Sequence, residues 1–353
     1  MSSPRFTFCI PNLNKIQYLP ACIESMLAQD CEDWKCIFVD GYSTDGSWEY
    51  MQQFASDPRF SIRRGIKQGM YADWNECLRY VDTEYFYFLT SDDTCYPQLV
   101  STTMAVLNKV PDVDVCHFKF DFIDKSGAVI NAPSSLSEHC SIYKECNSYI
   151  HRRSGISEFI MHFVYRAVYT TITSLVFRRR LIDKLYGFSS QYGAIGDYDW
   201  TMRMGLVTDV LFLPETLATW RIYDEQATKC TTPIQSKERL LAVAVQNLEE
   251  FLKSEQAIKL KSLIDLKELI NDFRDEHAAS LYGQLIINKT NAEKVKFIYH
   301  ILRYYPFYPV KKLLNRLSFN LLFSYPARSE LAYQFIQNYK LPWPPQTLSI
   351  DEE

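Results

Sequence analysis

The chain has 353 residues, of which 47% are hydrophobic, 15% aromatic and 23% charged, with a formal net charge of −4. These values are typical of a folded globular chain and exclude disorder over most of its length. The acidic balance argues against a general nucleic-acid binder, which carries a strongly basic surface. With 11 glycines, the chain contains neither common glycine-rich phosphate motif, G-x-G-x-x-G or G-x-x-x-x-G-K-[ST].

The start of the chain and its cysteines predict a cytoplasmic protein. Met1 to Arg5 lead directly into an apolar run, without the basic and apolar segments of a secretory signal. The 10 cysteines include no C-x-x-C pair, which argues against a structural zinc site. No apolar run approaches the ~20 residues needed to span a bilayer. We therefore expect reduced cysteines in the core.

The first hundred residues alternate between apolar strands and amphipathic helices. In chain order the pattern predicts strand 6–10, helix 19–29, strand 35–39, helix 47–54, strand 60–62, helix 71–80 and strand 84–89. Continuous apolar strands separated by helices are typical of a parallel, doubly wound sheet. Ligands bind such sheets beyond the carboxyl ends of the strands, where Asp40 and the pair Asp92-Asp93 are expected.

The rest of the chain is less regular. The predicted elements are strand 113–122 with a turn at 124–127 and a hairpin partner, strand 174–177, helix 179–185, helix 197–205 and strand 210–213. Residues 131–170 show no clear period, and we expect a loop region there. From about Pro233 the pattern is helical without strands, and the proline-rich last dozen residues predict an extended tail.

Two adjacent carboxylates, Asp92 and Asp93, follow the fourth predicted strand. Such a pair is self-repelling, and its oxygens are hard ligands that suit magnesium or manganese. A cation bound there could also bridge a diphosphate and neutralise it as a leaving group. The alternative interpretation is that Ser91 or Asp92 caps the helix near Pro97.

Several ordered motifs make the sequence resemble family 2 glycosyltransferases of the GT-A fold over about residues 5–230. The segments that carry the resemblance are Ile10 to Asn14, Ser25 to Gln29, Asp40 to Ser47, Gly69 to Asn75, Asp92-Asp93, Thr173 to Arg179, Gly187-Phe188, Gly196 to Arg203 and Trp220 to Thr228. The resemblance implies an α/β protein with a Rossmann-like mixed sheet flanked by helices. It further implies a glycosyltransferase domain (1–230) with a nucleotide-sugar-binding half (1–100) and an acceptor-binding half (101–230). The helical pattern beyond them predicts a separate C-terminal helical region with the tail (231–353).

The resemblance also implies roles for individual residues. Asp197 would be the general base that deprotonates the acceptor hydroxyl in an inverting displacement, with Asp199 as the substitute and a helix N-cap as the alternative role. Asp93 would be the direct ligand of a divalent metal, manganese or magnesium, and Asp92 would bind the metal and the ribose. The other residues expected to bind the nucleotide sugar are Pro11, Asn14, Asp40, Asn75, Arg221 and Gln226.

Some positions depart from the family pattern. Gly41 and Thr90 stand where many relatives have aspartates, and Tyr223 replaces a histidine, which predicts weaker metal affinity. Asp73 follows Ala72 in reversed order and is expected on the helix surface, while Lys67 is expected to be solvated. These departures keep open a catalytically weak or inactive scaffold that binds nucleotide sugars. A nucleotidyltransferase is a third interpretation, but it normally has a basic glycine-rich loop after strand one.

The predicted function is transfer of a sugar, from a UDP-linked donor, to a glycan or lipid-linked acceptor in surface polysaccharide biosynthesis. Residues 294–329 contain no acidic residue and interleave basic with aromatic side chains. That combination predicts peripheral contact with an anionic membrane, here the inner face of the plasma membrane. The alternative is a helical cap packed on the catalytic domain with its aromatics inward. No nucleic-acid partner is expected.

Overall fold

The structure is a computed structural model that describes residues 4–131, 141–165, 167–191, 193–224, 226, 233–254, 257, 265–284, 290–317 and 327–349. The chain divides into two compact units. The first contains Met1–Phe159, Ala167–Ala227 and Pro342–Glu353, and the second contains Ile160–Arg166 and Thr228–Leu341. The last segment, predicted as part of the helical region, thus groups with the first unit. The predicted boundary between 230 and 231 lies outside the described residues.

The described residues of the first unit form a mixed sheet of 11 strands. In chain order these are β1 Phe6–Asn12, β2 Trp34–Asp40, β3 Phe60–Arg64, β4 Tyr85–Phe88, β5 Thr94–Cys95, β6 Val115–Ile123, β7 Val129–Ile130, β8 His151–Arg153, β9 Leu175–Arg178, β10 Val210–Arg221 and β11 Gln346–Thr347. The main path runs β11-β8-β10-β6-β9-β4-β1-β2-β3, while β5 pairs with β10 and β7 with β6. The predicted α/β class and mixed sheet are confirmed.

The half of the sheet built from β1 to β4 is parallel, as the alternation of strands and helices predicts. Every residue of β1 and β4 is buried, which is why these strands read as continuous apolar runs. The prediction that Pro11 ends the first strand is wrong, because β1 continues to Asn12. Proline is tolerated there since β4 pairs only as far as Cys9, so one edge of β1 is unpaired at Pro11.

The other half of the sheet mixes directions. Strand β9 is antiparallel to both β4 and β6, whereas β10 is parallel to β6. The predicted strand 210–213 is too short, because β10 continues to Arg221. Pro214 and Glu215 interrupt the apolar run, and the strand absorbs them in a register shift between Leu213 and Thr216. This extension places Arg221 beside the turn that follows β4.

Helices accompany the sheet of the first unit. They are α1 Leu19–Leu27, α2 Ser47–Gln52, α3 Met70–Arg79, α4 Leu99–Lys109, α5 Gly155–Tyr165, α6 Arg180–Leu185 and α7 Gly196–Met204. All but α4 and α5 were predicted to within a few residues. The loop predicted for 131–170 is wrong where α5 and β8 form. Residues 159–165 of α5 are all buried, so the sequence there shows no amphipathic period.

The described part of the C-terminal tail, residues 342–349, is extended, as predicted, but it contributes a strand to the sheet. Strand β11 pairs antiparallel with β8, and Leu348 N donates to the Ile150 carbonyl at 3.1 Å. Among the described cysteines, all eight are free thiols and seven are buried. This agrees with the expectation of reduced core cysteines.

The residues that the structure describes between 233 and 338, namely 233–254, 257, 265–284, 290–317 and 327–338, form helices and no strand, as predicted. The helices are α8 Pro233–Lys253, α9 Leu266–Gln284, α10 Asn291–Tyr304, α11 Tyr308–Leu317 and α12 Arg328–Asn338. Helix α10 begins with a capping box between Thr290 and Glu293. Within the described ranges, no helix is both long and apolar enough to cross a membrane.

Candidate active site

Strand register brings three polar side chains together at the carboxyl edge of the parallel strands. Asn12 is paired with Asp40, and Asp40 with Arg64. The buried Asp40 carboxylate accepts from Asn12 Nδ2 at 2.9 Å, from Ser43 Oγ at 2.6 Å, from Ser43 N at 2.9 Å and from Arg64 Nη1 at 2.5 Å. A carboxylate offers about four lone-pair positions, and these donors use them all. Asp40, predicted to bind the nucleotide, therefore holds Arg64 and the loop after β2.

Arg64 is a candidate donor-binding residue that the sequence reasoning missed. Its guanidinium carbon lies 3.9 Å from the ring centre of Trp48 and 5.3 Å from that of Tyr42. Lys67 is exposed, as predicted, with Nζ 4.0 Å from the ring centre of Tyr42. A partly exposed cation between aromatic faces can stack on a base or bind a phosphate. The feature that could have indicated Arg64 is a basic residue at the end of β3, in register with Asp40.

Asp73 is a correction to the prediction of a helix-surface residue, because its side chain is buried beneath this cluster. A Cβ atom on Gly65 would lie 1.9 Å from Asp73 Oδ1, and one on Gly41 would lie 2.7 Å from Oδ2. Oδ1 has no hydrogen-bond partner among the described residues. Burial, with a smaller contribution from the Asp40 charge, raises the pKa of Asp73 to about 6. The glycines at 41 and 65 thus make room for a carboxyl group that sits close to Asp40.

The Asp93 carboxylate is buried, and both of its oxygens accept hydrogen bonds from protein donors. Oδ1 accepts from Arg221 N at 2.8 Å, and Oδ2 accepts from Thr90 Oγ1 at 2.5 Å and from Thr173 Oγ1 at 2.8 Å. Burial, followed by the nearby Asp92 charge, raises the pKa of Asp93 to about 7. Thr90, which stands where many relatives have an aspartate, is one of the donors to this carboxylate.

Asp92 is held differently, through Tyr223 and Lys15. The Tyr223 hydroxyl donates to Asp92 Oδ2, and Lys15 Nζ donates to the same hydroxyl. Lys15 Nζ lies 3.6 Å from Asp92 Oδ2 and 4.7 Å from the centre of the Tyr223 ring. Burial and the Asp92 charge raise the pKa of Tyr223 well above its usual range, so the phenol keeps its proton. The alternative role as a helix cap is not supported, since the N-cap residue of α4 is Gln98 and no side chain caps the helix.

These contacts decide how well the predicted pair of carboxylates fits a divalent metal. Magnesium and manganese need free, hard oxygen ligands. Both oxygens of Asp93 are occupied by three donors, and Asp92 Oδ2 accepts from a protonated phenol. Among the described residues, no group of three or more His, Cys, Asp or Glu side chains is arranged to hold a metal ion. The pair Asp92-Asp93 therefore does not fit the role of a joint metal site in this arrangement.

Asp197 lies in the first turn of α7, where the resemblance placed the general base. Its Oδ1 accepts from the Tyr71 hydroxyl at 2.9 Å and from Tyr198 N at 2.8 Å. The cap residue of α7 is Ile195, and no side chain caps the helix, so Asp197 is not an N-cap. Burial raises the pKa of Asp197. Asp199, the substitute, is buried in an ion pair with Arg203 at 2.8 Å.

Asn75, which was predicted to bind the nucleotide sugar, contacts the backbone of Phe188. Its Nδ2 donates to the Phe188 carbonyl at 2.8 Å, and its Oδ1 accepts from Phe188 N at 2.8 Å. A Cβ atom on Gly187, where φ is +86°, would lie 2.5 Å from Asn75 Oδ1. The amide thus fastens the segment after α6 onto α3, and Phe188 stacks on Tyr71 with ring centres 5.7 Å apart. Asn75 acts on the site by positioning this segment.

Arg221 and Gln226 also have structural contacts where nucleotide contacts were predicted. Arg221 is buried, and its guanidinium donates to the Asp92 carbonyl at 2.7 Å and to the Asp124 carbonyl at 2.8 Å. Its guanidinium carbon lies 4.7 Å from the ring centre of Tyr18. Gln226 Nε2 donates to the Arg221 carbonyl at 2.5 Å. The closing motif therefore holds the turn that carries Asp92; its Glu225, Ala227 and Thr228 lie outside the described residues.

The segment Ile10 to Asn14, the first that carries the family resemblance, mainly orders the backbone around the site. Pro11 is buried within β1. Asn14 is exposed with φ of +52°, its N donates to Ser43 Oγ at 2.8 Å, and its Oδ1 accepts from Thr44 N at 2.8 Å. These bonds tie the loop after β1 to the loop after β2. Of the predicted residues, Asn14, Asp92 and Asp197 are among those that retain side-chain atoms able to contact a ligand.

Solved structures share this architecture. The crystal structure of S. aureus TarS 1–349 has a TM-score of 0.60, and its complex with UDP-GlcNAc has a TM-score of 0.62. The complex is 16% identical in sequence and the match covers 95% of this chain and 89% of that chain. The protein therefore has the GT-A type of glycosyltransferase fold.

Residues 7–174 match the family model described as Glycosyl transferase family 2. A PGL/p-HBAD biosynthesis glycosyltransferase of Mycobacterium tuberculosis is 36% identical over 98 residues, or 27% of this chain and 38% of that protein. The putative colanic acid biosynthesis glycosyl transferase WcaA of Escherichia coli is 32% identical over 142 residues, or 38% and 48%. The chain thus aligns with less than half the length of these relatives. Within residues 7–174, therefore, the chain is similar to glycosyl transferase family 2.

Proposed function

We propose that the protein is an inverting glycosyltransferase that moves a sugar from a UDP-linked donor to a hydroxyl group of a glycan or lipid-linked acceptor. The observation that carries the proposal is the state of Asp197. Tyr71 and Tyr198 fix its Oδ1, while Oδ2 makes no hydrogen bond to the described residues. Because burial raises its pKa, Asp197 is a stronger proton acceptor than an ordinary aspartate.

The chemistry is a single displacement. The acceptor hydroxyl gives its proton to Asp197 Oδ2, and its oxygen forms a bond to the anomeric carbon. The bond from that carbon to the diphosphate oxygen breaks, and the nucleoside diphosphate leaves with the electron pair. Attack opposite the leaving group inverts the anomeric centre. A base positioned in this way contributes about 10²–10⁴-fold to the rate.

The donor and the acceptor are inferred from different observations. Arg64, held by Asp40 between Trp48 and Tyr42, offers a cation and aromatic faces at the edge of the sheet where nucleotides bind. The likeness to TarS, which was solved with UDP-GlcNAc, supports a UDP-linked donor. The relatives named for PGL/p-HBAD and colanic acid biosynthesis support an acceptor in a glycolipid or surface polysaccharide.

The test is turnover by Asp197→Asn. With a panel of UDP-sugars, we expect UDP release into water or an added acceptor to fall at least ~100-fold, while calorimetry shows an unchanged affinity for UDP. Asp183→Asn is the matched control, since Asp183 is exposed on α6 and pairs only loosely with Arg179 at 3.6 Å. Unchanged turnover in Asp197→Asn would refute the assignment of the base.

A non-catalytic scaffold that binds nucleotide sugars is the second candidate. This candidate is favoured by the hydrogen bonds that the carboxylates of Asp40 and Asp93 already accept from protein donors, because these bonds leave fewer carboxylate atoms free for a ligand. A scaffold would bind UDP-sugars but release no UDP from any of them. The substitution Asp197→Asn would then change neither binding nor turnover.

We also propose that helices α10 and α11 contact an anionic membrane surface. The exposed apolar residues there are Val295, Ile298, Tyr299, Leu302, Tyr304, Phe307, Val310, Leu313, Leu314 and Leu317. Lys296, Lys312 and Arg316 are exposed among them. Phe297, Tyr305 and Tyr308 instead pack in the core of the second unit, so the aromatics divide between inside and outside. Phe319 and Phe323 lie outside the described residues.

Vesicle sedimentation tests the membrane contact. Vesicles with anionic lipid should bind the full chain at low salt, and Leu313→Glu with Leu317→Glu should abolish binding. The control is Val129→Glu, because Val129 is 63% exposed and Leu317 is 70% exposed. Equal binding to neutral vesicles, or none to anionic ones, would contradict the proposal. Binding would place the reaction at the inner face of the plasma membrane.

A further inference from the structure

The ammonium of Lys15 lies 3.6 Å from Oδ2 of Asp92, one of the two carboxylates predicted to bind a divalent cation. Its backbone carbonyl accepts from Tyr18 N and Leu19 N at the start of α1, so the residue is anchored. Its Nζ donates to the Tyr223 hydroxyl, which in turn donates to Asp92 Oδ2. The side chains of Lys15 and Asp92 are 22% and 19% exposed, so the group is accessible to a ligand yet largely shielded from water.

The ammonium has hydrogen-bonding capacity to spare. Lysine carries three N–H donors, and the described contacts use one for Tyr223. Asp92 Oδ2 lies 3.6 Å away, which is an ion-pair distance but longer than a hydrogen bond. The Tyr223 hydroxyl accepts from this ammonium and donates to Asp92 Oδ2, so it fixes the position of Lys15 Nζ beside the carboxylate. At least one N–H therefore remains for an anionic oxygen beyond the pair.

We infer that Lys15, oriented by Tyr223 and Asp92, binds the donor diphosphate in place of a divalent cation. This inference rests on the proposed transferase function. As the bond between the anomeric carbon and the diphosphate oxygen breaks, the electron pair passes to that oxygen, and Lys15 neutralises the charge. The acceptor proton goes to Asp197, so no further co-reactant is needed. Two findings support this inference. The carboxylates of Asp92 and Asp93 do not fit a joint metal site, and Lys15 Nζ lies 3.6 Å from Asp92 Oδ2.

The experiment compares the full chain with Lys15→Met and Lys15→Arg, each with EDTA and with added manganese. UDP affinity is measured by calorimetry, and turnover is measured with a UDP-sugar. Wild type should bind UDP and turn over equally well with EDTA. Lys15→Met should bind UDP at least tenfold more weakly, and its turnover should fall about 10²–10³-fold, as for loss of one preorganised charge donor. Lys15→Arg should retain part of the UDP affinity and part of the turnover. That result would show that the losses in Lys15→Met come from the missing positive charge and not from a folding defect.

Lys35→Met is the matched control, because Lys35 is also 22% exposed and pairs with an aspartate, Asp82, away from the site. It should behave as wild type. The inference is overturned if EDTA abolishes UDP binding by wild type and manganese restores it, or if Lys15→Met binds UDP normally. If UDP binding is insensitive to EDTA and depends on Lys15 but no sugar is transferred, the diphosphate site stands and the proposed function fails.

Discussion

The hydrogen bond from the Tyr71 hydroxyl to Asp197 Oδ1, 2.9 Å long, should set the pH dependence of the proposed sugar transfer. Burial raises the pKa of Asp197, and the Tyr71 bond lowers it, so the two effects oppose each other. A hydrogen bond to a charged group contributes about 1.5–3 kcal/mol. At 1.36 kcal/mol per pKa unit, removing it in Tyr71→Phe should raise the pKa of Asp197 by roughly one to two units.

The sign of the effect on activity follows from the role of the base. Asp197 accepts a proton only when ionised, so a higher pKa moves the acidic limb of the kcat/KM profile to higher pH. Below that limb, Tyr71→Phe should lose about 10- to 100-fold in activity, while well above it the loss should be small. The profile is measured as UDP release against pH.

Tyr96→Phe is the matched control for this experiment. The Tyr96 hydroxyl also donates to an aspartate, Asp121 Oδ2 at 2.7 Å, on a pair that includes none of the predicted site residues. Its acidic limb should coincide with that of wild type. If the limb of Tyr71→Phe also stays in place, Asp197 is not the group that accepts the proton.

Three further outcomes are expected. Asn75→Ala removes both bonds to the Phe188 backbone and should lower the free energy of unfolding in urea by about 2 kcal/mol, with little change in UDP affinity. Asp73→Asn should become more stable relative to wild type as pH rises: the folded-state pKa of about 6 lies above the ordinary value, so wild type loses stability while Asp73 ionises. That gain should reach roughly 3 kcal/mol above pH 6 and be absent near pH 3. Gly65→Ala should weaken UDP binding and stability together, since its Cβ would lie 1.9 Å from Asp73 Oδ1.

The fold was largely predictable because its signals are local. Apolar runs of four to seven residues that alternate with helical spacing predict the parallel half of the sheet, and each strand end places its polar residues at one edge. The errors arose where the local pattern is broken. Pro214 interrupts β10 without ending it, and α5 is apolar on several faces, so neither shows the period that its element normally has.

The candidate site was predictable in position but not in connectivity. Asp40, Asp93 and Asp197 lie where strand and helix ends put them, yet what their oxygens contact depends on residues far along the chain. Arg221 N reaches Asp93 across 128 positions, and the Tyr71 hydroxyl reaches Asp197 across 126. No spacing rule carries that information. For the same reason Asn75 reads as a ligand contact in sequence, although its amide is spent on the Phe188 backbone.

Tyr223, which replaces the family's histidine, is also the residue that holds Lys15 beside Asp92. A phenol can accept from an ammonium and donate to a carboxylate at the same time, and Tyr223 does both, between Lys15 and Asp92. A side chain that gives a lone pair to a metal ion cannot also use it to hold the lysine. Tyr223 therefore positions the Lys15 ammonium beside Asp92, and Lys15 in turn donates to the Tyr223 hydroxyl. Both contacts make it harder for Asp92 and Tyr223 to bind a shared metal ion. The tyrosine that predicts weak metal affinity in the sequence thereby orients the Lys15 side chain in the structure.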